Sequence, residues 1–309
     1  MSIDRFEGVL APVITPFDKQ LNPDAERLSH HCKWLLSQGA RLAVFGTNSE
    51  ANSLSVEEKI QLLNSLVEQG VDPGSLMPGT GCCALTDTVK LTRHAVELGC
   101  RGVLMLPPFY YKGVSDEGLY ASYSEIIQRT GDSNLQIYLY HIPPIAQIPL
   151  STALVDRLVT EYPTVIAGIK DSSGDWHNTL SLLQGGWDNF RVFCGSESFL
   201  LATMQHGGAG CISATANVNP AGINRVWANW QTDEAHEYQQ GADRIRGFFQ
   251  DFSMIAALKA TVAHYNNDPE WNRVRPPLTT LSSDQHQQLA RGLQELAFQM
   301  PGLSDFSQQ

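Results

Sequence analysis

VIAGIKDSSGD, residues 165–175, is the stretch on which the fold turns. Val165 to Ile169 are small or β-branched and apolar, as in a strand covered on both faces. Lys170 closes that run. Asp171, Ser172, Ser173 and Gly174 follow with turn and helix-cap chemistry. The passage therefore reads as a buried parallel strand handing over to a helix, with Lys170 at the strand's carboxyl end and its amine at a loop rim. The chain has seven lysines (Lys19, Lys33, Lys59, Lys90, Lys112, Lys170 and Lys259), and Lys170 alone ends such a run. A partly desolvated amine loses its proton more easily, and a neutral amine attacks a carbonyl to form a Schiff base. The other reading of the same residues is a strand-end lysine paired with Asp171 or Asp175.

Outward from this stretch, short apolar runs alternate with helical patterns. Strands are expected near 9–15, 41–45, 76–79, 102–106, 136–141, 165–170, 190–194 and 210–213. Amphipathic helices are expected at 24–38, 55–69, 86–98, 116–129, 151–162, 175–184, 198–206 and 220–230. Strands each followed by a helix imply an α/β fold, a closed (β/α)8 TIM barrel over residues 1–231. An open doubly wound sheet would carry a Gly-rich fingerprint after its first strand, and VITPFDKQLNP is not one. Beyond residue 231 the strand signals stop. Three further helices, 234–249, 252–265 and 283–298, make a C-terminal helical extension over 232–309, with 304–309 as a loose tail.

Composition removes several classes of function. The formal charge of −11 argues against nucleic acid or anionic membrane as partners. No run of about 18 apolar residues occurs, and MSIDRFEGVLAPVITPF has no basic stretch leading into an apolar one, so a soluble cytoplasmic protein is expected. The six cysteines form no CxxC pair and the nine histidines show no HExxH spacing, so no metal is expected.

In a barrel the chemistry collects at the carboxyl ends of the strands. After the second strand, Gly46-Thr47-Asn48-Ser49-Glu50 offers turn amides and the Thr47 hydroxyl to an anion, while Ser55 and Glu58 are placed to cap the next helix. After the fourth come Tyr110 and Tyr111 beside Pro107 and Pro108, aromatics that serve packing as readily as chemistry. Along the fifth, alternation puts Tyr138 and Tyr140 on one face and Leu139 and His141 on the other. The Tyr140 phenol is thereby placed to relay protons beside Lys170. Gly195-Ser196-Glu197-Ser198 ends the seventh strand with one acid, and 211–217 after the eighth is mostly small. An anion-binding turn, phenols and an isolated lysine on one rim suit a 2-oxo acid, because an iminium withdraws the electrons that bond making or breaking at its third carbon requires.

These motifs resemble the dihydrodipicolinate synthase/N-acetylneuraminate lyase family of class I pyruvate-dependent enzymes. The likeness runs from Pro12-Val13-Ile14-Thr15-Pro16-Phe17 through the G-T-x-x-E loop at Gly46, the Y-x-I-P turn at Tyr140, the G-I-K-D signature at Gly168 and the glycine-rich segment at Gly207. The resemblance implies a Schiff base between Lys170 and pyruvate or another 2-oxo acid, with no cofactor beyond that covalent imine. It implies Tyr140 as proton relay, and Thr47 with the Asn48 amide as carboxylate site. It also implies Tyr111 reaching across a dimer interface, Ile212 lining the pyruvate pocket, and a homotetramer built as a dimer of dimers.

Departures from the family pattern bear on the second substrate. Asn48 stands where the synthases have a relay threonine, and Ile145 where they have an arginine that grips aspartate semialdehyde. Ala214 and Ser198 depart from the sialic acid lyases, His141 replaces their usual asparagine, and Cys83 departs from the lysine feedback site of bacterial synthases. The first expectation is a lyase or aldolase acting on a 4-hydroxy-2-oxo or 2-keto-3-deoxy acid, with Gly195, Ser196, Glu197, Ser198 and His141 near the variable half. The alternative is a dihydrodipicolinate synthase condensing pyruvate with aspartate semialdehyde. A third is a non-catalytic 2-oxo acid sensor or oligomeric scaffold.

Overall fold

Alternating apolar runs and amphipathic segments become parallel strands and covering helices in the computed structural model, which describes residues 5–306. The strands are β1 (Gly8–Ala11), β2 (Arg41–Leu42), β3 (Val103–Met105), β4 (Ile137–His141), β5 (Ile166–Asp171), β6 (Arg191–Cys194) and β7 (Gly210–Ile212). They form one sheet in the order β2-β1-β7-β6-β5-β4-β3, every pair parallel. The stretch expected as a strand at 76–79 forms no ladder of its own. It makes isolated bridges instead, Leu76 to Leu42 and Gly79 to Leu104, with the Met77 amide donating to Leu42 at 2.8 Å and the Leu104 amide to Pro78 at 2.9 Å. Pro78 has no N–H to contribute, which limits the ladder there. This segment joins the two ends of a sheet that is curled with helices outside it, an arrangement consistent with a TIM barrel.

The helices of the βα units are α1 (Ala25–Ser37), α2 (Val56–Glu68), α3 (Leu85–Glu97), α4 (Asp116–Thr130), the single turn α5 (Pro143–Ala146), α6 (Thr152–Glu161), α7 (Trp176–Leu183), α8 (Leu200–Gln205) and α9 (Pro220–Ala228). Ser55 caps α2 with Glu58 in a reciprocal box, as the spacing predicts. Alternation divides the core, broken in β5 by a register shift against β4 that leaves Ala167 and Ile169 in different layers. Leu10, Leu104, Tyr138, Tyr140, Ala167, Phe193 and Ile212 make the interior layer, while Val9, Val103, Leu139, Ile169 and Val192 pack against the helices. Gly168 marks where two strands close up: a Cβ there would lie 2.2 Å from the Arg191 carbonyl oxygen and 2.9 Å from the Tyr138 ring.

After α9 come α10 (Ala235–Gln250), α11 (Met254–Asn266) and α12 (Ser283–Glu295). The last ends three residues short of the expected 298, where Ala297 takes a φ of 48° that a helix cannot continue through. α11 is buried throughout Ala256, Ala257, Leu258, Lys259, Ala260, Thr261, Val262 and Ala263. Its Lys259 pairs with Glu50 from the loop after β2, and burial pushes that amine down to about 8 against the pull of the carboxylate. Glu50 also accepts the Arg275 amide at 2.8 Å, so the C-terminal segment braces the Thr47 loop. Ser304–Phe306 forms a helical turn whose Phe306 packs on the core, which corrects the expected loose tail over those residues. Residues 1–4, part of the stretch read for a leader, and 307–309 of the tail lie outside the described residues.

Burial also sets a pH response. His31 on α1 is fully enclosed, its ring 5.6 Å from Trp34 and 5.3 Å from Trp271, and burial pushes its imidazole from 6.5 down to about 4. The folded state then binds fewer protons than the unfolded one below pH 6.5, so stability present above that pH drains away as the solution is acidified toward 4. The loss attributable to this group is about 3 kcal/mol. Urea unfolding across that window should show a shallower pH dependence for His31→Phe; an unchanged slope would remove His31 as the cause.

Candidate active site

Lys170 leaves the carboxyl end of β5 in register with Tyr140 on β4, and both point into the interior layer. The lysine is 2% exposed, and its Nζ donates to the Tyr140 hydroxyl at 3.2 Å. That hydroxyl lies 3.2 Å from Thr47 Oγ1, so three functional groups from three segments meet in a chain. Among the described residues no carboxylate is within ion-pair distance of the amine. The two acids that competed for it are engaged elsewhere. Asp171 accepts from Thr179 Oγ1 at 2.6 Å and from the Ser173 amide at 3.0 Å, and Asp175 caps α7 through the His177 amide at 2.9 Å.

A cavity of about 270 Å³ opens beside the amine, walled in part by Thr47, Asn48, Tyr140, Lys170, Gly195 and Ser196. The Thr47 loop is pinned by Ser49, whose hydroxyl accepts the Gly46 amide at 3.0 Å and whose carbonyl accepts Thr15 Oγ1 at 2.7 Å. Gly195 is needed by close approach, since a Cβ would stand 2.1 Å from Ser172 Oγ.

Five residues expected at the substrate are elsewhere. His141 faces outward, as the alternation that turned Tyr140 inward requires. Its Nδ1 accepts the Leu150 amide at 3.0 Å, its Nε2 is 4.0 Å from Asp171, and burial holds the imidazole below its usual range despite that acid. Glu197 is fully buried behind the wall, where its two carboxylate oxygens accept the Ser213 and Thr215 hydroxyls. Ile212 lies in the interior layer and not in the wall, and Tyr111 is 73% exposed outside the cavity. Ser198, also expected near the variable half, is exposed and outside the wall as well.

The charged wall residue that escaped the sequence reading is Arg246. Arg246 arrives from α10, its Nη1 3.5 Å from Ser213 Oγ and 3.7 Å from Glu197. It lies beyond the βα units, where a search of strand ends does not look, and a single arginine in an amphipathic helix carries no distinguishing signal. Two basic side chains thus face a cavity in a chain of net charge −11. Among the described residues no group of three His, Cys, Asp or Glu side chains could hold a metal, and no helix is long and apolar enough to cross a membrane.

The model of the dihydrodipicolinate synthetase family matches residues 5–296. The chain belongs to that family. It is 31% identical to an uncharacterized DapA-like lyase of Chloroflexus aurantiacus, over 90% of this chain and 93% of that one. It is 30% identical to the 4-hydroxy-tetrahydrodipicolinate synthase of Bacillus subtilis, over 94% of this chain and 100% of that one. Among solved structures, YagE of E. coli K12, a prophage protein of the dihydrodipicolinic acid synthase family in complex with pyruvate, superposes with a TM-score of 0.86. That likeness is at 25% identity and covers 96% of this chain and 100% of YagE. As a member of the dihydrodipicolinate synthetase family the chain is an enzyme, a class I pyruvate-dependent lyase or aldolase, with the synthase reaction as one of the activities it is similar to.

Proposed function

We propose that Lys170 forms the Schiff base and that the substrate is a 2-oxo acid cleaved to, or built from, pyruvate. The observation that carries this is the buried Lys170 amine, facing a cavity, without an acid partner and 3.2 Å from a phenol. The amine attacks the C2 ketone; the carbinolamine oxygen takes a proton and leaves as water, giving the iminium. In the cleavage direction the 4-hydroxyl loses its proton as the C3–C4 bond breaks. The electron pair moves into the enamine, an aldehyde departs, and protonation at C3 with hydrolysis returns pyruvate and the amine. Tyr140, touching both Lys170 and Thr47, is placed to carry these protons, and Thr47 with the Asn48 amide to hold the C1 carboxylate. No cofactor enters the scheme.

Borohydride added with pyruvate should fix a pyruvate-derived mass on Lys170, located by peptide mass spectrometry. No adduct on the wild-type protein would remove the proposal, and the sensor or scaffold reading would then be tested by 2-oxo acid binding alone.

A specific observation keeps the synthase reading open. Its weakness was the missing arginine at Ile145, and Arg246 brings a guanidinium to the same cavity. Turnover of pyruvate with aspartate semialdehyde at the rate of the best aldol substrate would decide for it. The same proposal includes a (β/α)8 barrel over 1–231 with a helical extension over 232–309, supported by the 76–80 segment between β2 and β3. It includes a homotetramer as well, supported by the exposed pair Tyr110 and Tyr111, whose rings stand 5.4 Å apart. Sedimentation as a monomer would exclude the tetramer.

A further inference from the structure

We propose that Arg246 is a specificity-determining grip for a second carboxylate, so that the variable half of the substrate, or the aldehyde partner, bears an acid group and not a neutral polyol tail. This rests on the Schiff-base reading of Lys170 and adds the chemistry of the distal end.

A guanidinium carries five N–H donors in a planar fork that matches a carboxylate. In Arg246 only Nη1 is engaged, through one 3.5 Å contact with Ser213 and one 3.7 Å approach to Glu197. Nε is buried with no hydrogen-bond partner among the described residues. No partner of Nη2 is found among the described residues, and an arriving carboxylate pairs with the terminal N–H groups more strongly than a hydroxyl-bearing or apolar tail does. The side chain is 16% exposed and forms part of the cavity wall, so the guanidinium borders the space where substrate would lie.

Glu197 does not fill that role itself. Both its oxygens are committed to the hydroxyls of Ser213 and Thr215, which fix the carboxylate behind the wall and leave the guanidinium a distant, non-bidentate counter-ion. It is therefore a positioning residue for Arg246. The same commitment takes it out of contention as an acceptor for sugar hydroxyls. At the Thr47 side, the loop amides and hydroxyl already provide for the C1 carboxylate. Arg246, beside the ends of β6 and β7, is left for the other end of the molecule. Ala214 and Gly195 in the same wall leave the space open.

Borohydride trapping tests this with 2-oxoglutarate and 2-oxoadipate against the monoacids of equal length, 2-oxopentanoate and 2-oxohexanoate, each competing with pyruvate for Lys170. Wild type should be trapped by at least one diacid at concentrations about 30-fold or more below its matched monoacid. Arg246→Met should erase that preference, read as the ratio of diacid to matched monoacid concentrations needed to compete with pyruvate. Arg246→Lys, which keeps the charge and loses the fork, should retain part of the preference. Equal trapping of diacids and monoacids by wild type overturns the proposal without any variant, so misfolding of Arg246→Met does not protect it. Parallel loss of pyruvate and all four competitors in both variants overturns it too, since Arg246 would then serve the C1 carboxylate or the fold. Absence of a pyruvate adduct on wild type is the separate result that removes the Schiff-base reading, and this inference with it.

Discussion

Lys170→Ala is expected to lower turnover by at least about 10⁴-fold and to abolish borohydride-dependent labelling by pyruvate. Among the described residues no other lysine lines the cavity: buried Lys59 lies on α2, Lys259 of α11 is paired with Glu50, and Lys90 is tied to Glu57 at 2.6 Å on the surface. The loss should be chemical and not conformational. The amine makes one hydrogen bond of 3.2 Å from an almost fully buried position, so deleting it removes a desolvated polar group that the fold does not need. Unfolding midpoints in urea at or above the wild-type value, together with loss of activity, are the expected pair. An alanine variant that still turns over within tenfold of wild type would end the Lys170 assignment.

Tyr140→Phe is expected to reduce kcat/KM by about 10²–10⁴-fold, the range for removing a positioned proton carrier. The ring stays in the interior layer, so its packing there persists, and the lost hydroxyl contacts are long, 3.2 Å to each partner. Stability should fall by no more than about 1 kcal/mol. Because the phenol is proposed to serve carbinolamine breakdown, single-turnover experiments should show slow formation of the trappable imine, with its final amount preserved. Imine formation at the wild-type rate would place Tyr140 outside that step.

The proposed catalytic pair was legible because two short-range rules bring Lys170 and Tyr140 together. A buried strand ending in lysine sets Lys170 at the rim, and the period of two turns Tyr140 to the same side as Tyr138. The same alternation already sent His141 the other way, and the structure shows it bonded to Leu150 outside the interior layer. Its expected substrate contact came from counting strand-end residues without respecting their faces. Glu197 shows a different limit. Strand-end position says that an acid is near the mouth. Whether it faces substrate or is buried under two hydroxyls depends on Ser213 and Thr215, which belong to the next βα unit.

The amino-acid sequence by itself determined the βα alternation, the candidate site at the strand ends, and the buried lysine beside its phenol, because local hydrophobic period and turn chemistry act within a few residues. Tertiary structure alone decided that α11 is buried from Ala256 to Ala263, that Lys259 braces the Thr47 loop through Glu50, and that Arg246 reaches the cavity from α10. Those are meetings of groups far apart along the chain, and their existence depends on how helices cross a curled sheet, which no local pattern of side chains encodes.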